Sequence, residues 1–264
     1  MDWLIDDWCP LGHRTIVVAP EGGCKTTFSS YLAVCIASGS PFLGQDTMPG
    51  PVLIVDEETP KSSLEDQLNR FSQGIGVGDY SQLPIKVHHM EGFRFGRKSE
   101  LTKLLDVVSA LQPQLITMDS LLAMLPGGRQ GFGETNSETG IAMRDDLNQI
   151  LNACPDCNIL LAAHCGKPLA VWSVEQFDKA DMQTLVRGHG ALVGEACDTG
   201  FTLKKLNENP LQFAIMTKAR RVAVEMSSKV VYVEMEEESY WKPEDRFGES
   251  ESGDYEYPEY PENQ

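Results

Sequence analysis

The amino-acid sequence predicts an α/β protein, a mainly parallel sheet flanked by helices with an antiparallel extension at its C-terminal end. Three features carry that expectation. Continuous apolar runs of strand length alternate with helical stretches, several of those runs end in a polar or charged residue, and the last third has strands joined by short turns. Thr15 to Ala19 is the first run, followed by a glycine-containing turn and a helical stretch from Phe28 to Ser38. Val52 to Val55 ends in Asp56-Glu57-Glu58-Thr59-Pro60, after which Ser62 to Phe71 has the spacing of an amphipathic helix. Ile85 to His89 predicts a strand, and Ser99 to Leu111 a helix with Leu101, Leu104, Leu105 and Val108 on one face.

Leu115 to Met118 leads into Asp119, and a polar, glycine-rich loop is expected from Gly127 to Gly140. A helix from Ile141 to Ala153 and a strand from Ile159 to Ala163 ending at His164 complete the alternating part. Gly200 to Leu206, Gln212 to Thr217 and Lys229 to Glu234 then read as strands of the antiparallel extension.

At 264 residues the chain can bury one large core, which places a single domain at 1–235 and a tail at 236–264. The net charge is -17, and twelve acids against two bases fall between Glu234 and Gln264. Such a segment buries too little surface to offset its ordering entropy, so the tail is expected to be disordered. It reads either as a solubilising extension or as an acidic strand that mimics nucleic acid or docks on a basic partner. The chain has no apolar run of membrane-spanning length and no signal-type start, which predicts a cytoplasmic protein with no membrane partner. Seven cysteines, an odd set partly inside predicted core segments, argue against a disulfide framework. Cys154 and Cys157 form a C-x-x-C, which reads as a helix-to-strand loop, with zinc as the alternative.

The turn after the first strand, Ala19-Pro20-Glu21-Gly22-Gly23-Cys24-Lys25-Thr26, matches the phosphate-binding pattern G-x-x-x-x-G-K-[ST] at its last two positions. In that pattern backbone N–H groups wrap phosphates, the lysine neutralises their charge and the hydroxyl coordinates magnesium. Ala19 and Cys24 replace its glycines, with Gly22 and Gly23 between them to restore freedom. The candidate phosphate-binding residues are therefore Gly22, Gly23, Cys24, Lys25, Thr26 and Thr27, with ATP as ligand. Thr26 and Asp119 are the candidate Mg2+ residues, and a glutamate after Asp56 is the candidate that orients or deprotonates water. Read alone, Asp119 could be a turn residue, and Asp56, Glu57 and Glu58 a solvated charge run.

The ordered series of motifs, from about Leu11 to Val233, resembles the RecA-like P-loop ATPases of the hexameric-helicase and KaiC group. It is similar in particular to the plasmid RepA-type replicative helicases and their AAA_25 relatives. The segment Val52 to Pro60, with a helix reaching Arg70, looks like the one whose glutamate activates water. The resemblance makes Glu58 the general base and Glu57 the reserve. Leu115 to Leu121 resembles the Walker B strand, and Leu161 to Lys167 the strand whose terminal polar residue, here His164, senses the γ-phosphate. Arg187 to Leu192, leading to Asp198, is similar to the RGSSA-like segment. Lys218-Ala219-Arg220 resembles the Lys-x-Arg that reaches a neighbouring subunit's nucleotide, which implies a homo-oligomer, a ring of six.

In that group the loops after the Walker B strand and after the next strand grip single-stranded DNA. Here they correspond to 127–140, with Arg129, and 166–187, with Lys167, Trp172, Lys179 and Arg187. The second also holds Glu175, Asp178 and Asp181, a thin electrostatic footprint for a phosphate backbone. Three readings stay open: a plasmid or phage-type replicative helicase or related DNA motor, a KaiC-like regulatory ATPase acting on a protein, and a degenerate P-loop module that only binds nucleotide.

Overall fold

The computed structural model describes residues 2–126, 137–166, 172–180, 182–186, 196–208, 211–219, 230–236 and 240–243. Where the sequence is continuously apolar it forms central parallel strands, which are covered on both faces, and eleven strands occur among the described residues. They are β1 (Trp3–Ile5), β2 (Cys9–Pro10), β3 (Arg14–Ala19), β4 (Val52–Asp56), β5 (Ile85–His89), β6 (Leu115–Asp119), β7 (Asn158–His164), β8 (Thr199–Glu208), β9 (Leu211–Ala219), β10 (Val230–Glu236) and β11 (Tyr240–Pro243). The helices are α1 (Lys25–Ser38), α2 (Lys61–Gly74), α3 (Lys98–Leu111), α4 (Leu121–Met124), α5 (Ser137–Ala153), α6 (Val174–Lys179) and α7 (Met182–Leu185).

Nine strands make one sheet in the order β11-β10-β9-β8-β3-β7-β6-β4-β5. Pairing is parallel from β8 through β3 to β5 and antiparallel from β8 outward to β11. The period-2 geometry of a strand sends successive side chains of β3 to opposite faces. Ile16 and Val18 join the core beneath α3 and α5, which contribute Leu101, Leu104, Val108, Met143, Leu147 and Ile150. Val17 and Ala19 join the core beneath α1 and α2, with Phe28, Leu32, Ile36, Leu64, Leu68 and Phe71. In that second layer Phe28 packs edge-on to Phe42 and tilted on Phe201, each at 5.2 Å between centroids.

The expected elements are present, with shifted ends. Helix α5 begins at Ser137, four residues before its apolar repeat, so the glycine-rich loop is shorter than its composition suggests. The outermost strand, β11, pairs with β10 and lies beyond residue 235, so the sheet continues into the segment read as tail. Cys154 and Cys157 sit in the turn from α5 to β7, both buried, and no group of three or more metal-ligating side chains occurs among the described residues. Among those residues no helix is long and apolar enough to cross a membrane.

Two polar clasps hold the edge of the sheet where β3 and β7 begin. Arg14 donates from Nε to Asp198 Oδ2 at 3.2 Å, and the two residues also exchange backbone contacts, so Asp198 serves as an anchor for the start of β8. Asn158, fully buried, accepts from the Gly12 N–H at 3.0 Å and donates to the Pro10 carbonyl at 2.7 Å, which docks the β1–β2 hairpin on β7. Replacing Asn158 by Ala strips partners from a part-buried N–H and a buried carbonyl. The expected cost is roughly 2–4 kcal/mol in chemical denaturation.

Candidate functional site

The carboxyl ends of β3, β7, β6 and β4 lie side by side. Ala19 pairs with His164 and Asp56 with Asp119 in the ladder, so the last residues of these strands share one edge. Ligands collect at this edge of an open parallel sheet because loops and helix N-termini converge there. A cavity of about 640 Å3 occupies the position, lined among others by Gly22, Cys24, Lys25, Thr26, Thr27, Glu58, Asp119 and His164.

The loop between β3 and α1 is shaped by its own backbone. Gly23 N–H bonds back to the Pro20 carbonyl at 2.9 Å, Gly22 has φ +71°, and Cys24 caps α1 in the left-handed region at φ +56°. No side chain caps that helix start. The first-turn N–H groups of a fourteen-residue helix are thus left for a ligand, which is how such a turn binds an anion. Gly23 itself does not line the cavity; a Cβ there would lie 2.8 Å from both Ala19 Cβ and the Pro20 carbonyl oxygen.

Lys25, only 6 % exposed, donates from Nζ to the Pro20 carbonyl at 3.3 Å and to His164 Nδ1 at 3.1 Å. An ammonium has donors only, so Nδ1 is the accepting nitrogen and the His164 proton sits on Nε2. That nitrogen lies 3.9 Å from Glu58 Oε2. Thr26 Oγ1 donates to Asp119 Oδ2 at 2.5 Å. Burial pushes the Lys25 ammonium below its ordinary range, against the pull of Asp119 and Glu58. Burial likewise lifts the Asp119 carboxyl to about 6, opposed by the Thr26 hydrogen bond and reinforced by Asp56.

The two adjacent glutamates have separate tasks. Asp56 Oδ1 accepts from the backbone N–H groups of Glu58 and Thr59 at 2.8 and 2.7 Å, folding the chain sharply after β4. The turn sends Glu57 inward, 4 % exposed, where its carboxylate accepts from Gly92 N–H, Phe93 N–H and Arg94 Nη1 at 3.0 to 3.2 Å. It sends Glu58 into the cavity, where Ser120 Oγ donates to Oε2. The reserve candidate is therefore a loop anchor, and Glu58 alone of the pair faces the site.

Arg70 pairs with Asp66 on the outer face of α2 at 2.7 Å, while Gln67, one turn earlier and not singled out by any motif, lines the cavity. Lys218 is described by its backbone in β9 alone, and Arg220 lies outside the described residues. So do 127–136, 167–171, 181 and 187–195, which hold Arg129, Lys167 and Arg187 of the candidate DNA loops. Of the remaining loop residues, Trp172 packs edge-on against buried Phe177 at 6.0 Å, and Lys179 pairs with Glu175 one helical turn away.

Magnesium suits this donor set. It prefers hard oxygen ligands, and Thr26 and Asp119 already bring a hydroxyl and a carboxylate within 2.5 Å of one another beside an anion-binding turn. No curated protein matches the chain. The family model for the AAA domain AAA_25 matches residues 1–170, which span the phosphate turn, Glu58, Asp119 and His164. With the motif series and the sheet-edge geometry in agreement with that match, this chain belongs to the AAA_25 family of P-loop ATPases.

Proposed function

We propose that the protein is a magnesium-dependent, ATP-hydrolysing ring ATPase that acts as a motor on single-stranded DNA, in the manner of plasmid or phage-type replicative helicases. The observation that carries the hydrolytic part is the convergence of Lys25, Thr26, Glu58, Asp119 and His164 on one cavity. In this reading the open N–H groups of α1 and the Lys25 ammonium bind the phosphates, and Thr26 and Asp119 hold Mg2+. When bound, the metal neutralises charge on the phosphate oxygens. Glu58 takes the proton of the attacking water, and His164, hydrogen-bonded to Lys25 and close to Glu58, registers loss of the γ-phosphate. The one cationic side chain lining the cavity among the described residues, apart from a protonatable histidine, is Lys25. A transition state carrying more charge calls for another cation, and the segment Lys218 to Arg220 of a neighbouring subunit in a hexameric ring supplies it in this proposal.

A second reading is a regulatory ATPase whose nucleotide state acts on a protein partner. It is favoured by the net charge of -17, concentrated in the C-terminal segment, and by the engagement of Trp172 and Lys179 in contacts within the chain. The deciding assay is ATP hydrolysis with and without single-stranded DNA, read together with oligomer mass. Stimulation by DNA in a hexamer supports the motor; DNA-independent turnover supports the regulatory enzyme. Mixing Arg220→Ala with Glu58→Gln protein is expected to restore part of the activity that each lacks alone, and no recovery would argue against a shared site.

The division between the glutamates is open to direct test. Glu58→Gln is expected to lower kcat by 10²-fold or more with little change in denaturant midpoint. Glu57→Gln can keep a carbonyl oxygen for the Gly92 and Phe93 N–H groups at Oε1 only by setting its NH2 against the Arg94 guanidinium and the second Gly92 contact at Oε2. It should cost roughly 2–3 kcal/mol of stability while sparing turnover of the folded fraction. The reverse pattern would exchange the two roles.

Asp119 predicts a pH-dependent stability. Its folded pKa of about 6 lies above the ordinary 3.8, so folding favours the protonated form. The contribution is fully present below pH 4 and is lost as pH rises through 6. Asp119→Asn should therefore stabilise the nucleotide-free protein by about 3 kcal/mol above pH 7, with the gain fading toward pH 4 in denaturation series. The same variant should lose magnesium-dependent nucleotide binding.

A further inference from the structure

Gln67 has no counterpart among the motif residues, yet it is the one side chain from the body of α2 that lines the cavity. Leu64, Leu68 and Phe71 of α2 are buried against the layer that contains α1, and Gln67 stands on the edge of that stripe. Its Oε1 accepts from Ser30 Oγ at 3.3 Å, and Ser30 is itself buried on α1, one turn beyond Thr26. With the carbonyl oxygen so held, the amide nitrogen carries two donors that have no partner among the described residues.

The sheet order tells which end of a nucleotide this amide meets. Going from the phosphate turn after β3 toward α2, one passes β7 and β6 before β4, and so passes His164 and Asp119 first. The chain enters α2 directly from Glu58, Thr59 and Pro60, which also line the cavity. Thr26 and Asp119 would hold the magnesium, which would neutralise charge on the phosphate oxygens, and the base that activates water would face the terminal phosphate. The wall formed by Glu58, Pro60 and Gln67 therefore borders the terminal phosphate, on the side of the cavity away from β8.

We infer that Gln67 is a γ-phosphate contact, its amide NH2 donating to an oxygen of the terminal phosphate while Ser30 fixes the amide's orientation. The inference rests on the nucleotide-binding reading of this cavity. Its consequence is discrimination: the contact exists with a triphosphate and has nothing to meet in a diphosphate. It also ties α2 to the phosphorylation state of the ligand through a side chain that packs on α1. A purely structural Ser30–Gln67 bond would affect both nucleotides alike.

The test is calorimetric binding of a non-hydrolysable ATP analogue and of ADP, each with Mg2+, to wild type, Gln67→Ala, Gln67→Glu and Ser30→Ala. Gln67→Ala is expected to weaken the triphosphate about three- to tenfold and leave ADP within twofold. Gln67→Glu keeps the acceptor for Ser30, and with it the packing of the two helices. It should weaken the triphosphate further by like-charge repulsion, again sparing ADP. Ser30→Ala should show a smaller loss of the same selectivity. An unchanged ratio of ATP to ADP affinity in Gln67→Ala and Gln67→Glu, or an equal loss for both nucleotides, overturns the inference. Failure of the wild type to bind either nucleotide would instead overturn the reading of the cavity itself.

Discussion

Lys25 and Asp119 are both held out of water at the carboxyl edge of the sheet, and burial disfavours the charge on each. Their mutual attraction offsets only part of that cost: for Lys25 burial outweighs the pull of Asp119 and Glu58, and for Asp119 the charges of Asp56 and Glu58 add to the effect of burial. A polyphosphate paired with a divalent cation resolves both problems: the anion stabilises the ammonium, and the cation stabilises the carboxylate. The nucleotide-free site is in this sense charged in advance of its ligand. Everything around it serves to keep those groups dry and aligned, from the two apolar layers beneath to the parallel register that sets Asp56 beside Asp119.

That alignment explains why adjacent acids diverge in role. The segment after β4 holds three carboxylates in three residues, which in solution would be one solvated run. Asp56 spends its Oδ1 on two backbone N–H groups and thereby sets the direction of the next two side chains. Glu57 becomes the partner of a loop that would otherwise leave the Gly92 and Phe93 N–H groups without an acceptor, and His89 Nε2 adds a bond to the Thr59 carbonyl at 2.7 Å. With the turn fixed from both sides, Glu58 is positioned without being buried, a condition suited to the proton-accepting role proposed for it.

The strands that carry the site were legible because each is a short, continuous apolar run ending in a polar residue, and that pattern reads the same in sequence and in space. Roles that depend on direction were not. The three acids Asp56-Glu57-Glu58 alone do not say which glutamate turns inward; the resemblance chose Glu58 as the base, and a backbone turn sends Glu57 inward. Arg70 and Gln67 differ by one helical turn, and only the phase of α2 against α1 places the amide in the cavity and the guanidinium outside. The start of α5 was hidden because Ser137, Glu138 and Gly140 have loop composition, while the β1–β2 hairpin is too short to show a period. The Arg14–Asp198 clasp joins residues far apart in sequence, and no local pattern marks it.

The departures of the phosphate turn from its usual glycines are resolved by where a Cβ has room. A left-handed residue other than glycine costs about 1–2 kcal/mol, so Cys24 at φ +56° carries a strain that glycine would not. Crowding, however, falls on Gly23, where an added Cβ would strike Ala19 and Pro20, and Gly22 supplies the other positive φ of the turn. Cys24 is only half-buried, and its thiol reaches outward to within 3.8 Å of the Gly22 carbonyl. The turn carries its glycines at 22 and 23 in place of 19 and 24 while leaving the helix start uncapped by any side chain. Because the binding of phosphate depends on those open N–H groups and not on the identity of the capping residue, the turn keeps its chemistry without its customary spelling.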